Sequence, residues 1–292
     1  MTGNWVLAGY VLAICACGRL GFDTLAPDAS TFDTRAVGPF GAPEPIPALS
    51  SPASEQEPTI SGDKLVLVFR RGDALMGDLH VSTRSTATEP WGAPVPIAEI
   101  NTTDDEITPG LSADALTLWF SSNRAGGVGG NDIWVTTRVD RASPWSSPVN
   151  VTELNTSGSD RNPAVTEDGL TMILTRTVAG QSDLYAASRS SPSGAWSVPA
   201  QLTELSSTVN DGGGGLIGLE IVFYSNRPGA TGQNDLWRAT RSSAAEPFTS
   251  IEPIAELNST ATDWDPWISI DGSTIVFGSN RSGDHEIYEA TR

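Results

Sequence analysis

The sequence of 292 residues has very little cysteine and histidine and few basic residues. Its two cysteines, Cys15 and Cys17, both lie in the first apolar stretch, so the rest of the chain can hold neither a disulfide framework nor a cysteine-based zinc site. Its two histidines give little support for a Ser-His-Asp triad. With 17 basic and 35 acidic residues the formal charge is −18, which repels phosphate, so we expect no nucleic-acid partner.

A long apolar run is also missing. The longest near the start, residues 5–14, is too short to cross a bilayer but has the length of a secretory signal core. It ends in Ile14-Cys15-Ala16-Cys17-Gly18, which resembles a bacterial lipobox with Cys17 as the lipidated residue. We therefore predict a signal peptide and lipobox over residues 1–17 and a flexible tether over 18–38; plain secretion is the alternative.

Glycine and proline are abundant, with 29 and 20 residues, and they separate the copies of one repeated unit. Each copy closes on an arginine, and the spacings are 54, 51, 52 and 51 residues between Arg84, Arg138, Arg189, Arg241 and Arg292. An aromatic residue follows each of the first four arginines, and a glutamate comes eight residues after each aromatic, at Glu99, Glu153, Glu204 and Glu256. The chain therefore repeats one unit of about fifty residues five times.

Each unit contains four strand signals. The second is a dense apolar run, at residues 65–69, 116–120, 171–174, 221–224 and 275–277, as expected of a strand covered on both faces. Turn signals such as Glu167-Asp168-Gly169 precede these runs and favour tight hairpins. Four antiparallel strands per unit make a propeller blade.

The two ends of the repeat complement each other. Residues 40–49 align with the fourth strand of a unit, while the last unit stops after its third strand at Arg292. The N-terminal strand can therefore complete the C-terminal blade and remove the exposed sheet edges. We predict an all-β, five-bladed β-propeller of four-stranded antiparallel blades over residues 39–292.

The repeats resemble the WD40-like β-propeller repeats of TolB-type periplasmic proteins over roughly residues 57–292. The motifs that carry the resemblance are Leu111-Ser112-Ala113-Asp114, Trp119-Phe120-Ser121-Ser122-Asn123-Arg124 and Asn131-Asp132-Ile133-Trp134, echoed at 269–281. The resemblance implies the fold and a setting in the cell envelope. The α/β domain of TolB has no counterpart in this sequence, so we do not carry over its partner.

An acid lies seven residues after each of the four glutamates, and Glu55 holds the same place in the first unit. The set is Glu55, Glu106, Asp160, Asp211 and Asp263. We expect these carboxylates to gather at one mouth of the channel, where their repulsion must be offset. Pairing with recurrent arginines such as Arg124, Arg227 and Arg281 is the structural explanation, and a cation or polar-ligand site is the functional one.

The fifth unit breaks the symmetry with Asp263-Trp264-Asp265-Pro266-Trp267, beside four consecutive glycines, Gly212 to Gly215, in the fourth unit. Trp264 and Trp267 could line a groove for a sugar or a cationic group, or Trp267 could simply fill the core. Arg161 and Asn162 of the third unit are expected to face the same opening.

The leading functional hypothesis is a non-catalytic, monomeric binding or scaffold module of the bacterial cell envelope. It would bind an envelope protein or glycan at the channel mouth, touch the membrane only through a lipid anchor and need no cofactor or metal. One alternative is a glycoside hydrolase that pairs Asp263 or Asp265 with Asp160 or Asp211; that chemistry needs two acids about 5 to 10 Å apart, one with a raised pKa. The other is a structural spacer.

Overall fold

The computed structural model describes residues 38–73, 76–229 and 231–292, together with Met1. The predicted signal peptide, Cys17 and nearly all of the predicted tether lie outside these residues. All regular elements of the described residues are β-strands. Among the same residues, no helix is long and apolar enough to cross a membrane.

Five separate four-stranded antiparallel sheets form the five blades. The first strand is β1 (Glu44–Pro45). Blade 1 contains β2 (Ser54–Ile60), β3 (Val66–Gly72), β4 (Gly77–Thr83) and β5 (Val95–Pro96). Blade 2 contains β6 (Glu106–Leu111), β7 (Thr117–Ser122), β8 (Asp132–Thr137) and β9 (Val149–Asn150). Blade 3 contains β10 (Ser159–Val165), β11 (Thr171–Val178), β12 (Gln181–Ser188) and β13 (Ala200–Gln201). Blade 4 contains β14 (Asp211–Ile217), β15 (Glu220–Ser225), β16 (Asp235–Thr240) and β17 (Thr249–Pro253), and blade 5 contains β18 (Asp263–Ile268), β19 (Thr274–Ser279), β20 (Glu286–Thr291) and β1.

The five-bladed propeller predicted from the repeat is confirmed. The dense apolar runs are the second strands of the blades, and their residues are buried on both faces because each blade lies between two others. The core clusters lie between adjacent blades; one joins Val66 and Val68 of blade 1 to Leu118 and Phe120 of blade 2. The fold is thus stabilised by apolar contacts between neighbouring units.

The N-terminal strand completes the last blade, as the sequence predicted. Strand β1 pairs with β20, and further backbone hydrogen bonds join Gly41 N to Thr291 O (2.8 Å) and Ile46 N to Ile287 O (3.0 Å). The regular pairing covers two residues rather than the predicted 40–49, because Pro43, Pro45 and Pro47 have no N–H to donate. Buried side chains on either side, Phe40, Ile46 and Leu49, complete the closure.

Candidate active site

The five acids predicted to gather around the channel are the first or second residues of the inner strands, and all five are fully buried. The inner strands are the first strand of each blade along the chain: β2, β6, β10, β14 and β18. Each forms an ion pair with an arginine of its own blade at 2.5 to 2.9 Å. The pairs are Glu55 with Arg71, Glu106 with Arg124, Asp160 with Arg176, Asp211 with Arg227 and Asp263 with Arg281. We refer to them as the acid–arginine pairs.

The acid–arginine pairs also connect consecutive blades. Each arginine donates a second hydrogen bond to a backbone carbonyl at the end of the preceding blade, for example Arg281 to Leu257 O (2.7 Å) and Arg176 to Leu154 O (2.7 Å). Each acid accepts a hydrogen bond from the backbone N–H four residues earlier, as Asp263 does from Ser259 (2.8 Å). With their hydrogen-bonding capacity used within the protein, these acids have a structural role and we do not retain them as ligand contacts.

Two residues after each of these acids, every inner strand contains a β-bulge. The residue at the bulge has a positive φ between 46° and 58° in all five blades: Glu57, Thr108, Asn162, Gly213 and Asp265. A proline follows this residue in every blade but the fourth, where Gly214 stands, and proline cannot donate to the ladder. We call these five residues the bulge ring; together they line a channel cavity of about 90 Å³ that extends toward the ends of the inner strands.

Hydrogen bonds between blades hold the bulge ring in place. The amide of Thr108 donates to Oε2 of Glu57 (2.6 Å), and the amide of Asn162 donates to Oγ1 of Thr108 (3.1 Å). The amide of Gly213 donates to Oγ1 of Thr175 (2.9 Å) in the preceding blade. These bonds hold the backbone of Thr108, Asn162 and Gly213 against the preceding blade in each case.

Two members of the bulge ring are carboxylates, and neither has an ion-pair partner within 4 Å among the described residues. Glu57 lies in blade 1 and Asp265 in blade 5, which are neighbours in the ring. Asp265 accepts a hydrogen bond from Nδ2 of Asn162 (2.7 Å), which reaches it from blade 3. Both acids are surrounded by protein yet keep contact with the channel cavity. Two unpaired acids thus face one enclosed space.

This environment favours a proton on the pair at neutral pH. Burial, and secondarily the charge of Glu57, raises the pKa of Asp265 to about 8, although Arg161 and Asn162 oppose the rise. Burial also raises the pKa of Glu57, but Arg70 and the Thr108 amide favour its charged form. We therefore assign a proton to Asp265, with Glu57 as the second carboxyl group of the pair.

The glycines of blade 4 make room for this arrangement. A Cβ at Gly213 would overlap Oδ1 of Asp265, and a Cβ at Gly212 would lie 2.6 Å from the hydroxyl oxygen of Tyr224. The ring of Tyr224 occupies the space that side chains at these positions would take, and burial raises the pKa of its hydroxyl. Gly212 to Gly215 lie within β14 and not in a turn, so their lack of side chains serves the packing of Asp265 and Tyr224.

The two tryptophans of blade 5 face different cavities. Trp264 lines a cavity of about 470 Å³ at the mouth where the inner strands begin, together with Tyr224 and His285. Its indole meets the imidazole of His285 edge to face, with 4.7 Å between ring centroids. Trp267 lines the channel cavity and packs against the core cluster that contains Leu49 and Phe69. The predicted groove shared by the two indoles is therefore not formed.

Of the residues predicted from sequence, the structure brings Asn162 and Asp265 together at the channel cavity, and Arg161, next to Asn162 in the chain, acts electrostatically on Asp265. Sequence reasoning missed Glu57, Arg70, Tyr224 and His285. A signal for Glu57 was present in the repeat. The position two residues after the paired acid is Glu, Thr, Asn, Gly and Asp in blades 1 to 5, so only blades 1 and 5 have an acid there. The partners of Glu57 come from other strands and give no local signal.

No group of three or more histidine, cysteine, aspartate or glutamate side chains is arranged to hold a metal ion in the part of the chain that the structure describes. The chemistry that this site offers is proton transfer by carboxyl groups in a confined channel.

Solved structures of similar fold include both TolB proteins and glycoside hydrolases. The GH62 α-L-arabinofuranosidase of Coprinopsis cinerea superimposes with a TM-score of 0.62 at 10% identity, covering 88% of this chain and 97% of that chain. The α-L-arabinofuranosidase of Podospora anserina, solved with cellotriose, gives 0.61 at 12% identity, covering 88% and 97%. A putative TolB from Agrobacterium tumefaciens gives 0.51 at 19% identity, covering 83% and 79%. No protein-family model and no curated protein matches the sequence.

These comparisons show the propeller fold and agree with the TolB-like character of the repeats. They also correct our leading functional hypothesis. Most of the similar structures are glycosidases, and this favours the glycoside hydrolase alternative over a non-catalytic binding or scaffold module. The predicted pairing of acids also changes: Asp160, Asp211 and Asp263 belong to the acid–arginine pairs, and Asp265 has Glu57 as its counterpart.

Proposed function

We propose that the protein is a glycoside hydrolase whose catalytic carboxyl groups are Asp265 and Glu57. The observation that carries the proposal is the contrast between two rings of acids two residues apart. All five acids of the acid–arginine pairs are neutralised by arginine, whereas the two acids of the bulge ring face the channel cavity without an ion pair to any residue that the structure describes. Such a pair, with one member held protonated, suits acid catalysis of glycoside cleavage.

In the proposed reaction Asp265 donates its proton to the glycosidic oxygen as the bond from that oxygen to the anomeric carbon breaks. Glu57 either takes a proton from the water that attacks the anomeric carbon or attacks that carbon itself before water releases the sugar. Asn162 orients Asp265 through the 2.7 Å hydrogen bond, and the Thr108 amide fixes Glu57. Because Asp265 must be protonated, activity should fall as the pH rises through about 8.

A panel of nitrophenyl glycosides and exported bacterial polysaccharides, assayed with the wild-type chain, tests the proposal. Asp265→Asn and Glu57→Gln should each lower kcat at least about 100-fold. The matched control is Glu252→Gln, which removes an exposed carboxylate at the rim and should leave kcat unchanged. Absence of turnover on every substrate, or equal activity in Asp265→Asn and wild type, would contradict the proposal.

We propose further that the enzyme acts outside the cytoplasm on an envelope or extracellular glycan, anchored through Cys17. The lipobox-like Ile14-Cys15-Ala16-Cys17-Gly18 and the TolB-like fold support this location. Metabolic labelling with palmitate should mark the wild-type protein and not Cys17→Ser. Export without label would leave secretion in place of anchoring, and retention of the whole chain in the cytoplasm would overturn the location.

A further inference from the structure

The guanidinium group of Arg161 has no hydrogen-bond or ion-pair partner within residues 38–73, 76–229 and 231–292. Among the described residues it is the one arginine whose side chain forms no hydrogen bond, ion pair or ring contact, and its Nε is buried without an acceptor. Arginines of the acid–arginine pairs, by contrast, each contact a carboxylate and a carbonyl. A cationic group that is partly removed from water and left unpaired is unfavourable unless something else binds it.

Arg70 repeats this feature nearby. Its side chain is only 6% exposed, and its Nε also lacks an acceptor, although its terminal nitrogen donates to the carbonyl of Asp73. Both Arg70 and Arg161 act electrostatically on Glu57 and on Asp265. Arg161 directly precedes Asn162, which lines the channel cavity and donates to Asp265, so Arg161 starts from the backbone beside the carboxyl pair.

The charge count at this centre is not negative. Arg70 and Arg161 balance Glu57 and Asp265 even when both carboxyl groups are ionised, and a proton on either acid leaves one excess positive charge, in a chain whose formal net charge is −18. The repulsion from the rest of the protein is screened beyond about 8 Å at physiological ionic strength, whereas an ion pair formed inside the channel is screened much less. The local charge therefore dominates the interaction of a group that reaches the channel.

We infer that the substrate is an acidic glycan, whose sugar in the channel carries an oxyanion that binds the guanidinium of Arg161. The inference rests on the proposed function and names its substrate class. The planar fork of arginine matches the oxygen atoms of a carboxylate, a sulfate ester or a phosphate ester, and such charge-assisted hydrogen bonds supply the acceptors that Arg161 lacks. A hexuronic acid residue, a sulfated sugar and a phosphorylated sugar share this chemistry.

Matched pairs of nitrophenyl glycosides test the inference. In each pair the sugars differ only at C6, as in glucuronide against glucoside and galacturonide against galactoside; the sulfate and phosphate esters at the same carbon identify the source of the oxyanion. We expect wild-type kcat/KM to favour one anionic member by roughly 10- to 100-fold. Arg161→Gln should remove that preference by lowering kcat/KM of the anionic member at least about 10-fold more than that of its neutral partner.

Two further variants keep the test decisive. Arg161→Lys retains the charge without the fork and should restore part of the preference if Arg161→Gln folds poorly. Arg238→Gln removes an exposed arginine at the rim, and it should leave both members of each pair unchanged. Thermal melts of all variants show whether a lost preference reflects lost structure.

The outcomes separate this inference from the proposed function. Hydrolysis of neutral glycosides that equals or exceeds that of their anionic partners, or an equal loss on both in Arg161→Gln, overturns the inference and leaves the hydrolase in place. Calorimetry with glucuronate and galacturonate on Asp265→Asn measures binding without turnover. Binding that depends on Arg161, with no glycoside cleaved by wild type, overturns the proposed function and leaves the oxyanion site.

Discussion

Asp263 and Asp265 lie two residues apart on one strand, and their surroundings give them different chemistry. Asp263 is neutralised by Arg281 at 2.5 Å and accepts hydrogen bonds from Ser259, whereas Asp265 receives only the amide group of Asn162. Asp263 is fully buried and Asp265 only half-buried, yet it is Asp263 that stays charged in the protein interior, because it has an arginine partner. The acid that lacks a counter-ion is the one available for proton transfer.

The raised pKa of Asp265 makes folding stability depend on pH. Below its ordinary pKa of 3.8 the side chain is protonated in both states, but between there and about 8 only the folded chain holds the proton, so stability falls as the pH rises. Asp265→Asn removes this loss. We expect the variant to unfold with a free energy at least about 1 kcal/mol above wild type at pH 8 and about equal to it at pH 4 in urea titrations.

Asp271→Asn provides a control of opposite sign. Burial by itself would raise the pKa of Asp271, but hydrogen bonds from Ser269, Ser273 and Lys64 lower it further than burial raises it. The charged form of Asp271 therefore stabilises the folded chain at pH values above its ordinary pKa. This variant should be less stable than wild type at pH 8. A loss of stability at pH 8 in both variants would contradict the assignment of a proton to Asp265.

Gly213 is required by its neighbours as well as by its backbone. Its φ is +46°, and a Cβ would overlap Asp265 Oδ1 and lie 2.8 Å from the ring of Tyr224. Gly213→Ala should therefore lower the melting temperature and displace Asp265, with activity reduced at least about 10-fold. Differential scanning calorimetry and the glycoside assay measure the two effects.

Gly218→Ala separates crowding from backbone strain. Gly218 has φ +53° but nothing within 4 Å of a Cβ, so its substitution costs only the left-handed conformation, about 1 kcal/mol. An equal loss in the two variants would show that strain alone, and not contact with Asp265, explains Gly213.

At the scale of the element, the inner strand combines an acid, a bulge and a proline in a fixed order. The fifty-residue repeat was enough to predict the strands, because apolar runs and turn residues recur in every unit. The bulge was not predicted, although Pro58, Pro109, Pro163 and Pro266 mark it, since a proline alone does not say on which strand pair it falls. The site depends on that bulge and on residues from blades 1, 2, 3 and 5, a combination that no local pattern contains.

The outer strands show the same limit. The sequence of residues 149–154 is compatible with a strand throughout, but β9 ends at Asn150, and Val151 and Leu154 are buried in the turn that follows. A strand and a tight turn with buried apolar residues have similar sequence patterns over so short a stretch. Tertiary packing decides between them.

The acid–arginine pairs should carry much of the stability of the inner strands. Asp160→Asn leaves the buried guanidinium of Arg176 without its counter-charge and should cost about 3 to 5 kcal/mol. Urea unfolding followed by tryptophan fluorescence measures the change. The exposed rim pair of Arg238 and Glu252 is the comparison: Glu252→Gln should cost less than about 1 kcal/mol, and equal losses would argue against a structural role for the buried pairs.

At the scale of the whole molecule, the ring is closed by a segment from the start of the domain. The repeat period alone predicted this closure. The last unit has only three strands, and the segment before the first unit aligns with a fourth strand, so the two can form one blade. The repeat period could not predict which interactions hold the closure. Two residues of β1 pair with β20, and the buried side chains of Phe40, Ile46 and Leu49 supply the apolar packing.

Removing this segment should open the ring. A chain of residues 50–292 loses β1 and the buried Phe40, Ile46 and Leu49, and it exposes the edge of β20. We expect it to aggregate or to unfold at least about 10 °C below a chain of residues 38–292, as followed by light scattering and calorimetry. Equal stability of the two chains would show that the ring closes without the N-terminal strand.

The central claim is that Asp265 supplies a proton to the leaving group, and the dependence of cleavage on the leaving group tests it most directly. The measurement is kcat/KM of wild type and Asp265→Asn on two glycosides of the same sugar, one with an alkyl and one with a dinitrophenyl leaving group. We expect a loss of about 100-fold or more on the alkyl glycoside and less than about 10-fold on the dinitrophenyl glycoside, whose anion departs without a proton. An equal loss on both substrates, or none on either, would contradict it.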